Sequence, residues 1–396
     1  MRVARTITAG GASLLLVLAA CGGTTQKSSG GGTDNGPGGT TQKSSGGGAD
    51  NGPVVAKATA EIESYRVKPT FSPPGPSLEA SKVKGKTVYV IPNNLVSDEL
   101  VGAANGVQQA GEAAGVTVTV FNPNGAVSKM QQGIENAIAT KASAIVVLGI
   151  PTQFVSDAAA SAKQAGIPVV AALNAQPDSN KPGQGAGANF FGYVGIDYFK
   201  LGQVMADAAI TRAQGKVNAS VLSFNNEIAR ANIDGVKSRL KECSSCKIVG
   251  EQDIEPVKWP TDIPGATSSL VRSNPDMNFV MAAVDTMGIF ATAGVRQASG
   301  AGKVSVISSD GSGPGALGLV KAGDVFIADP GASTGWLGWT ILDQSMRAIL
   351  GMAPGNGIVP FRYIDSSTLN AADPKDEAAI YGEPYKDGFR QLWGLR

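Results

Sequence analysis

The chain has 396 residues, 42% of them hydrophobic, with 52 glycines, 33 basic and 32 acidic side chains, and no histidine. Two domains are expected, because a single hydrophobic core seldom serves a chain of this length. The absence of histidine removes the commonest general base and the commonest zinc ligand, which disfavours Ser-His-Asp hydrolases and zinc enzymes. We therefore expect a protein that is not an enzyme and that holds no cofactor and no metal.

The first 20 residues have the pattern of a secretory signal peptide. Arg2 and Arg5 precede an apolar stretch, 12–20, which is too short to span a bilayer as a stable helix. The stretch ends in Leu-Ala-Ala-Cys at 18–21, which resembles a bacterial lipobox. We expect cleavage before Cys21 and attachment of a diacylglyceryl group to its sulfur. An ordinary signal peptide followed by a chance cysteine is the alternative.

A polar repeat occupies the segment 21–53. Residues 23–37 recur at 39–53 with one substitution, and they are too polar and too rich in glycine to bury apolar surface. Random-coil scaling gives this tether an end-to-end distance of roughly 30 Å. We expect the folded part to lie outside the cytoplasm, anchored by the lipid to the outer face of the cell membrane.

Two cysteines remain beyond the tether, Cys243 and Cys246. A lone C-x-x-C supplies only two metal ligands, so a disulfide is expected here and zinc is not, with a redox role as the alternative. The sequence contains no basic block and no cationic amphipathic pattern. Nucleic acid is therefore not an expected partner.

From residue 83 onward, short β-rich apolar runs alternate with helical patterns, which is typical of parallel β-α-β units. The first series of predicted strands lies at 87–91, 116–121, 144–148 and 168–173. The second series lies at 220–224, 247–252, 279–283, 304–308 and 325–328, with helices predicted at 198–213, 230–242, 262–273, 286–299 and 313–322. These two series predict an α/β protein of two similar open parallel-sheet lobes.

Asparagine and aspartate cluster at the predicted carboxyl ends of these strands. Ligands of open α/β sheets bind at that edge, so these side chains are candidate ligand contacts. Turns and helix caps favour the same residue types, and a structural role is the alternative for each of them.

Five motifs follow one another along this part of the chain: VYVIPNN at 88–94, QAGIPVV at 164–170, RANIDGV at 230–236, ISSDG at 307–311 and KAG at 321–323. In this order they resemble the motifs of the periplasmic sugar-binding proteins of the ribose- and galactose-binding type. These proteins are the solute receptors of ABC importers and share their fold with LacI-type repressors. The resemblance extends from about residue 86 to residue 352, and it implies two Rossmann-like lobes joined by a three-strand hinge, with the ligand in the cleft between them.

The resemblance also implies that each lobe is assembled from separate pieces of the chain. The three crossings would fall near 194–197, 329–331 and 353–358. The implied parts are an extended N-terminal segment (54–82), a first lobe (83–194 plus 332–352) and a second lobe (195–331 plus 353–396). Three aromatic residues of the tail are expected to pack on the second lobe: Tyr381, Tyr385 and Trp393.

Carried over residue by residue, the resemblance places a set of polar side chains and one aromatic platform around the ligand. Arg230 would act as a fork for adjacent hydroxyls, Trp259 would stack on a sugar ring, and Asp310 would accept hydroxyl protons. The full implied set is Asn93, Asn94, Asn174, Arg230, Trp259, Asp285, Asp310 and Asp329.

The sequence departs from the family pattern at several of these places. Asn174 stands where relatives have an Asp-Arg pair, and Asp329 replaces a glutamine on the hinge side. Val284 replaces an asparagine, and Leu95 replaces an aromatic ring of the pentose binders. The implied site therefore suits a monosaccharide less closely, and a polyol, a nucleoside or another small metabolite is an alternative ligand.

The implied function is a monomeric, membrane-tethered receptor that closes on a small polar ligand and delivers it to the permease of an ABC importer. A ligand sensor for a membrane signalling partner is the alternative. Two enzyme-like motifs are assigned structural roles. The GASTG at 331–335 fits a hydrolase elbow but has no histidine base, and the GPGALG at 313–318 fits a nucleotide loop but contains a proline.

Overall fold

The computed structural model describes residues 51–176 and 187–395. The predicted signal peptide, the acylation motif at Cys21 and nearly all of the tether lie outside these residues. In the part of the chain that is described, no helix is both long enough and apolar enough to cross a membrane.

The secondary structure alternates strands and helices from residue 87 to residue 349. The strands are β1 (Thr87–Pro92), β2 (Thr117–Val120), β3 (Ala144–Leu148), β4 (Val169–Ala172), β5 (Gly192–Val194), β6 (Asn218–Ser223), β7 (Lys247–Asp253), β8 (Phe279–Ala282), β9 (Ser305–Ile307) and β10 (Phe326–Ala328). The α-helices are α1 (Gly52–Arg66), α2 (Asp98–Ala114), α3 (Val127–Ala139), α4 (Ser156–Gln164), α5 (Tyr198–Arg212), α6 (Glu227–Leu240), α7 (Trp259–Ser273), α8 (Asp285–Gln297), α9 (Pro314–Ala322), α10 (Thr334–Ile349), α11 (Glu377–Tyr381) and α12 (Pro384–Leu392).

The strands form two parallel sheets of five, in the orders β2-β1-β3-β4-β5 and β10-β9-β8-β6-β7. The sheet β1–β5 with α2, α3, α4 and α10 is the first lobe, and the sheet β6–β10 with α5 to α9 is the second lobe. The predicted fold class of two open parallel-sheet lobes is confirmed. Strand β5 was not predicted, because three residues carry too little pattern to distinguish a strand from a loop.

The first sheet is covered on both faces, as a parallel sheet requires. Val88 and Val90 point to one face, where they join a core with α2 and α10, while Ile91 and Tyr89 point to the other face, toward α3 and α4. This alternation follows from the two-residue period of a strand. The carboxyl ends of the strands, not their faces, are therefore the part of the sheet left for a ligand.

Segments near residues 195, 331 and 358 connect the lobes and lie side by side. Gly195 pairs with Ile358 in a parallel bridge, and Gly331 pairs with Arg362 in an antiparallel one. Backbone hydrogen bonds reinforce both pairs, from Gly195 N to Gly357 O and from Gly331 N to Arg362 O, each at 3.0 Å.

The expectation of an extended segment at 54–82 is wrong for its first part, because residues 52–66 form helix α1. Ala58 and Ile62 are buried against the second lobe, where α1 packs on α5. The ammonium of Lys200 also donates to Glu61 at 2.9 Å. The apolar stripe of α1 is only a few small residues wide, which is why its periodicity gave no clear helix prediction.

The expected packing of the tail aromatics on the second lobe is wrong for Tyr385 and Trp393. Trp393 stacks on Trp339 of α10 with ring centroids 5.3 Å apart, and Tyr385 stacks on Trp336 of the same helix, also at 5.3 Å. Tyr381 does contact the second lobe, since its hydroxyl donates to the carbonyl of Gly311 at 2.7 Å. The tail therefore contacts both lobes.

A candidate ligand site between the lobes

Four buried carboxylates meet where the carboxyl ends of the two sheets face each other. Glu99 lies in the first turn of α2 in the first lobe, whereas Asp285, Asp310 and Asp329 follow β8, β9 and β10 in the second. Their relative exposures are 8%, 7%, 7% and 0%. We call these four residues the acidic cluster.

Burial and like charge shift the pKa values of the acidic cluster upward. Desolvation, and then the charge of Asp285, raises the pKa of Glu99 to about 8. Desolvation, followed by the charges of Glu99, Asp285 and Asp329, raises the pKa of Asp310 well above its ordinary value. Both effects penalise the ionised forms, so the cluster holds protons that exposed carboxyl groups would have lost at neutral pH.

Asp285 accepts three backbone hydrogen bonds from the turn after β9. Its carboxylate accepts backbone N–H groups of Gly311 and Ser312 at 3.3 Å and of Gly313 at 3.0 Å. The carboxyl groups of Asp285 and Asp329 also hydrogen-bond to each other, which requires that one of them is protonated. Desolvation, and then the charge of Asp285, raises the pKa of Asp329 well above its ordinary value, which assigns the proton to Asp329.

Strained backbone flanks the cluster in both lobes. Asp310 has φ of 102° and Leu173, directly before Asn174, has φ of 53°, a region that favours glycine. Gly331 lies so close to Asp310 that a Cβ atom there would overlap the Asp310 carbonyl group. Strain of this kind costs about 1–3 kcal/mol per residue and is typical of binding sites.

Several buried polar atoms of the cluster and of residues that follow β4 and β5 have no hydrogen-bond partner within the described residues. They are both side-chain amide atoms of Asn174, the hydroxyl of Tyr198 and Oε1 of Glu99. Asn174 is 4% exposed and Tyr198 is 2% exposed. Leaving such a group unpaired costs about 1–3 kcal/mol, so a ligand with hydroxyl groups would relieve the cost of several at once.

The lobes are in contact on either side of this site. The backbone N–H of Gln176, in the first lobe, donates to Oε1 of Glu227 in the second lobe at 3.3 Å. A Cβ atom on Gly313 would lie 3.0 Å from Oδ2 of Asp98 in the first lobe and 3.3 Å from Oδ2 of Asp285. The structure is therefore that of a closed cleft.

Three predicted site residues come together in the acidic cluster: Asp285, Asp310 and Asp329. A fourth, Asn174, is buried just beyond the carboxyl end of β4 in the first lobe. Two others, Asn93 and Asn94, have amide groups bonded to the backbone of their own region. Asn93 Nδ2 donates to the carbonyl of Gly149 at 3.2 Å, and Asn94 Oδ1 accepts the N–H of Val96 at 2.9 Å. The contact of Asn94 is typical of asparagine in turns, whereas that of Asn93 joins the ends of β1 and β3.

The remaining two predicted residues, Arg230 and Trp259, do not reach the acidic cluster. Arg230 is exposed, and its Nη1 donates to Oδ1 of Asn225 at 2.7 Å. Trp259 is half-buried, and its indole N–H donates to the carbonyl of Ile254 at 2.8 Å. Its ring packs edge-to-face with Phe224, with ring centroids 5.1 Å apart. These side chains lie at the ends of β6 and β7, at the edge of the second lobe.

Sequence reasoning missed three residues of the site: Glu99, Tyr198 and Asn232. The amide nitrogen of Asn232 donates to Oγ of Ser309 at 2.8 Å, while its oxygen has no partner among the described residues. Glu99 carried a usable signal, because it lies in the first turn of the helix that follows the first predicted strand. Tyr198 and Asn232 are helical residues whose spacing is equally typical of an apolar core.

The enzyme-like motifs and the cysteines have structural roles. Ser333 caps α10 by accepting the N–H of Trp336 at 3.0 Å, and its hydroxyl donates to Glu377. Cys243 and Cys246 are joined in a disulfide. No group of three or more described Cys, Asp or Glu side chains has a geometry that could hold a metal ion.

Residues 88–349 match the sequence model of one protein family, described as a periplasmic binding protein domain. A comparison with curated protein sequences finds no match. The fold is similar to that of an ABC transporter periplasmic solute-binding protein from Actinobacillus succinogenes 130z with bound D-allose, with a TM-score of 0.64 and 23% identity over 72% of this chain and 99% of that one.

Two further solved structures are similar over nearly their whole length. An ABC transporter solute-binding protein from Bacillus halodurans C-125 with bound myo-inositol has a TM-score of 0.64 and 16% identity, covering 74% of this chain and 98% of that one. A protein from Mycobacterium smegmatis in complex with beta-D-fucofuranose has a TM-score of 0.63 and 18% identity, covering 78% and 98%. At these identities the likeness establishes the fold.

Proposed function

Because this chain belongs to the family of periplasmic binding protein domains, we propose that it is the extracytoplasmic solute-binding component of an ABC importer. It binds one small hydroxyl-rich ligand, of the monosaccharide class, in the closed cleft between its lobes. The family consists of ligand-binding transport proteins and not of enzymes. The permease of the importer is the proposed protein partner.

The observation that carries this proposal is a set of buried polar atoms that have no hydrogen-bond partner among the described residues. Asn174 offers a donor and an acceptor, Tyr198 offers a hydroxyl, and Glu99 offers a carboxylate oxygen. A sugar or polyol presents hydroxyl groups that both donate and accept, so one molecule can satisfy all of these atoms. The solved neighbours with D-allose and myo-inositol bind ligands of this chemistry.

Isothermal titration calorimetry of the purified protein tests the proposal. The titrants are aldohexoses, pentoses, polyols, amino sugars and nucleosides, each added separately at neutral pH. We expect one class to bind at a single site with a dissociation constant in the micromolar range or below. If none of these titrants produces binding heat, the proposed function is wrong.

We further propose that the protein is anchored to the membrane by lipid on Cys21. The support is the Leu-Ala-Ala-Cys motif at 18–21, followed by a polar, glycine-rich repeat. Mass spectrometry of the tryptic peptide 21–27 checks this. We expect that peptide to begin at Cys21 and to carry a diacylglyceryl group, whereas an unmodified peptide would contradict the anchor.

A further inference from the structure

The acidic cluster has no cationic partner in the described part of the chain. The charges that raise the pKa values of Glu99 and Asp310 all belong to other carboxylates. The cation that the sequence predicted for the site, Arg230, is exposed and bonded to Asn225. Lys200, in the first turn of α5, is paired with Glu61 of α1.

The other buried carboxylates of the described chain have cationic partners. Apart from the acidic cluster, the buried acidic residues of the described chain are Asp207 and Asp343. Asp207 pairs with Arg239, and Asp343 pairs with Arg347 at 2.7 Å, with all four side chains at most 3% exposed. Burying a carboxylate without a partner is costly, and at these two structural positions an arginine side chain provides the partner.

A second observation indicates that the missing partner is a ligand. Oε1 of Glu99 has no hydrogen-bond partner in the described residues, although Glu99 is only 8% exposed. Within the described residues, the amide of Asn174 and the hydroxyl of Tyr198 are also buried without a hydrogen-bond partner. After desolvation, the charges of Glu99 and Asp310 contribute to raising the pKa of Tyr198, so these three side chains lie near one another.

We propose that the ligand is a cation, namely a small hydroxyl-bearing molecule with a protonated amine, such as an amino sugar or an amino polyol. Its ammonium group lies between Glu99 of the first lobe and Asp310 of the second. An ammonium has three N–H donors, and each of these two carboxyl groups can accept one. Asn174 and Tyr198 then bind the hydroxyl groups. The inference rests on the proposed function, that the closed cleft binds a small polar ligand.

An amine fits the cluster better than a metal ion does. Asp285 already accepts three backbone N–H groups, and the described carboxylates form no group with metal-binding geometry. Calcium and magnesium each require several oxygen ligands at a short, fixed distance. Each N–H donor of a protonated amine needs only one acceptor. The two facing lobes supply such acceptors when they close.

Calorimetric titration with matched pairs of compounds tests the inference. The pairs are D-glucosamine with D-glucose, D-galactosamine with D-galactose, and an amino-inositol with myo-inositol, and the neutral N-acetyl derivatives control for size. We expect the cationic member of at least one pair to bind at least tenfold more tightly than its neutral member. If a neutral member binds equally well or better, the inference is wrong and the proposed function stands. If no member of any pair binds and no other hydroxyl-rich titrant does, both are wrong.

Two glutamine substitutions on one helix locate the ammonium. Glu99→Gln removes the charge at the cluster, and Glu112→Gln removes an exposed charge near the other end of α2. We expect Glu99→Gln to reduce the preference for the cationic member at least tenfold, and Glu112→Gln to leave it unchanged. An unchanged preference in Glu99→Gln overturns the assigned position. If Glu99→Gln does not melt cooperatively, Asp310→Asn serves as the second variant, with the same expected loss.

Discussion

At the scale of single residues, Asp310 combines two unfavourable features. Its φ of 102° is a conformation that glycine adopts far more readily, and its buried carboxyl group lies among three others. Neither feature stabilises the fold. A residue that lowers stability in two ways indicates a position selected for its side chain, which at this place means contact with a ligand.

We expect Asp310→Gly to stabilise the protein and to abolish ligand binding. Relief of the backbone strain alone should raise the free energy of unfolding by about 1 kcal/mol, and removal of a buried carboxyl group adds to this. Thermal denaturation and calorimetric titration measure the two effects. Ser299→Gly is the control, because Ser299 also has a positive φ of 57° but is exposed beyond the end of α8. It should gain stability and keep full affinity. A destabilised Asp310→Gly would contradict the argument.

Glu99 gives the ligand-free protein a characteristic dependence of stability on pH. Its pKa rises from 4.5 to about 8 on folding, so between these values the folded state holds a proton that the unfolded state has lost. The contribution of Glu99 to the free energy of unfolding is therefore largest below about pH 4.5 and decreases as the pH approaches 8. The titratable groups that interact with Glu99 are two carboxyl groups of the cluster and two tyrosine hydroxyls. None of them carries a positive charge that would lower the pKa of Glu99. They are Asp285, Asp310, Tyr193 and Tyr198.

We expect Glu99→Gln to flatten this decline, because glutamine has no proton to lose. Melting temperatures of the ligand-free protein between about pH 5 and pH 8 measure the slope for both proteins. Glu112→Gln should retain the slope of the natural sequence. A Glu99→Gln protein with an unchanged slope would show that another group controls the decline.

The sequence located part of the site because each strand ends in a short polar run. Asp310 was predicted from a turn motif, and the structure places it in the cluster. The same reasoning could not separate Asn174, which has unpartnered amide atoms, from Asn94, which caps a turn. That difference depends on where the backbone N–H groups of neighbouring residues point, and residue type does not determine it.

At the scale of secondary-structure elements, the contact between α5 and α6 depends on two glycines. A Cβ atom at Gly202 would overlap the carbonyl oxygen of Asn232, and one at Gly235 would overlap the carbonyl oxygen of Phe199. The helix backbones therefore touch directly. Gly235 is the glycine of the RANIDGV motif, so this close approach gives a physical reason for the motif.

We expect Gly235→Ala to lower the free energy of unfolding by at least about 2 kcal/mol, since two helix backbones must separate to admit the methyl group. Chemical denaturation measures this change. Gly318→Ala is the matched control, because Gly318 is exposed on α9 with no atom near the added methyl group. It should gain about 0.5–1 kcal/mol from the higher helix propensity of alanine. Equal effects of the two substitutions would contradict the proposed packing.

The elements predicted best were those with a strong and complete hydrophobic pattern. Strand β3 was predicted with its observed bounds, and α5 to within one residue, because each buries one continuous apolar set. Helices α11 and α12 were not predicted. The aromatic residues of α12 pack on α10, and Tyr381 of α11 bonds to Gly311, so both partners are more than thirty residues away in sequence. Local periodicity cannot show a contact that only the tertiary fold creates.

At the scale of the whole molecule, the segments before β1 and after α10 make further contacts that connect the lobes. Helix α1 packs on the second lobe, and Phe71, which follows it, stacks on Trp336 of the first lobe at 6.1 Å. In the tail, Glu377 accepts the hydroxyl of Thr334 at 2.6 Å, and Tyr381 donates to Gly311. These contacts lie beside the crossing segments. They hold the hinge side together, so the cleft side is where the lobes can separate.

The acidic cluster therefore controls whether the empty cleft stays closed. Closure brings Glu99 of the first lobe toward Asp285 and Asp310 of the second, and like charges in a desolvated space repel strongly. At low pH the cluster is protonated and closure costs little. As the pH rises toward 8, deprotonation of Glu99 opposes closure, unless a cation occupies the space between the lobes.

Small-angle X-ray scattering of the ligand-free protein measures this effect as the radius of gyration. We expect the radius to increase between about pH 5 and pH 8, because the lobes separate when Glu99 ionises, and a saturating cationic ligand should reverse the increase at the higher pH. Glu99→Gln should remain compact across the range, while Glu112→Gln should expand as the natural sequence does. A radius independent of pH in the natural sequence would show that contacts between the lobes, such as Gln176 with Glu227, outweigh the repulsion within the cluster.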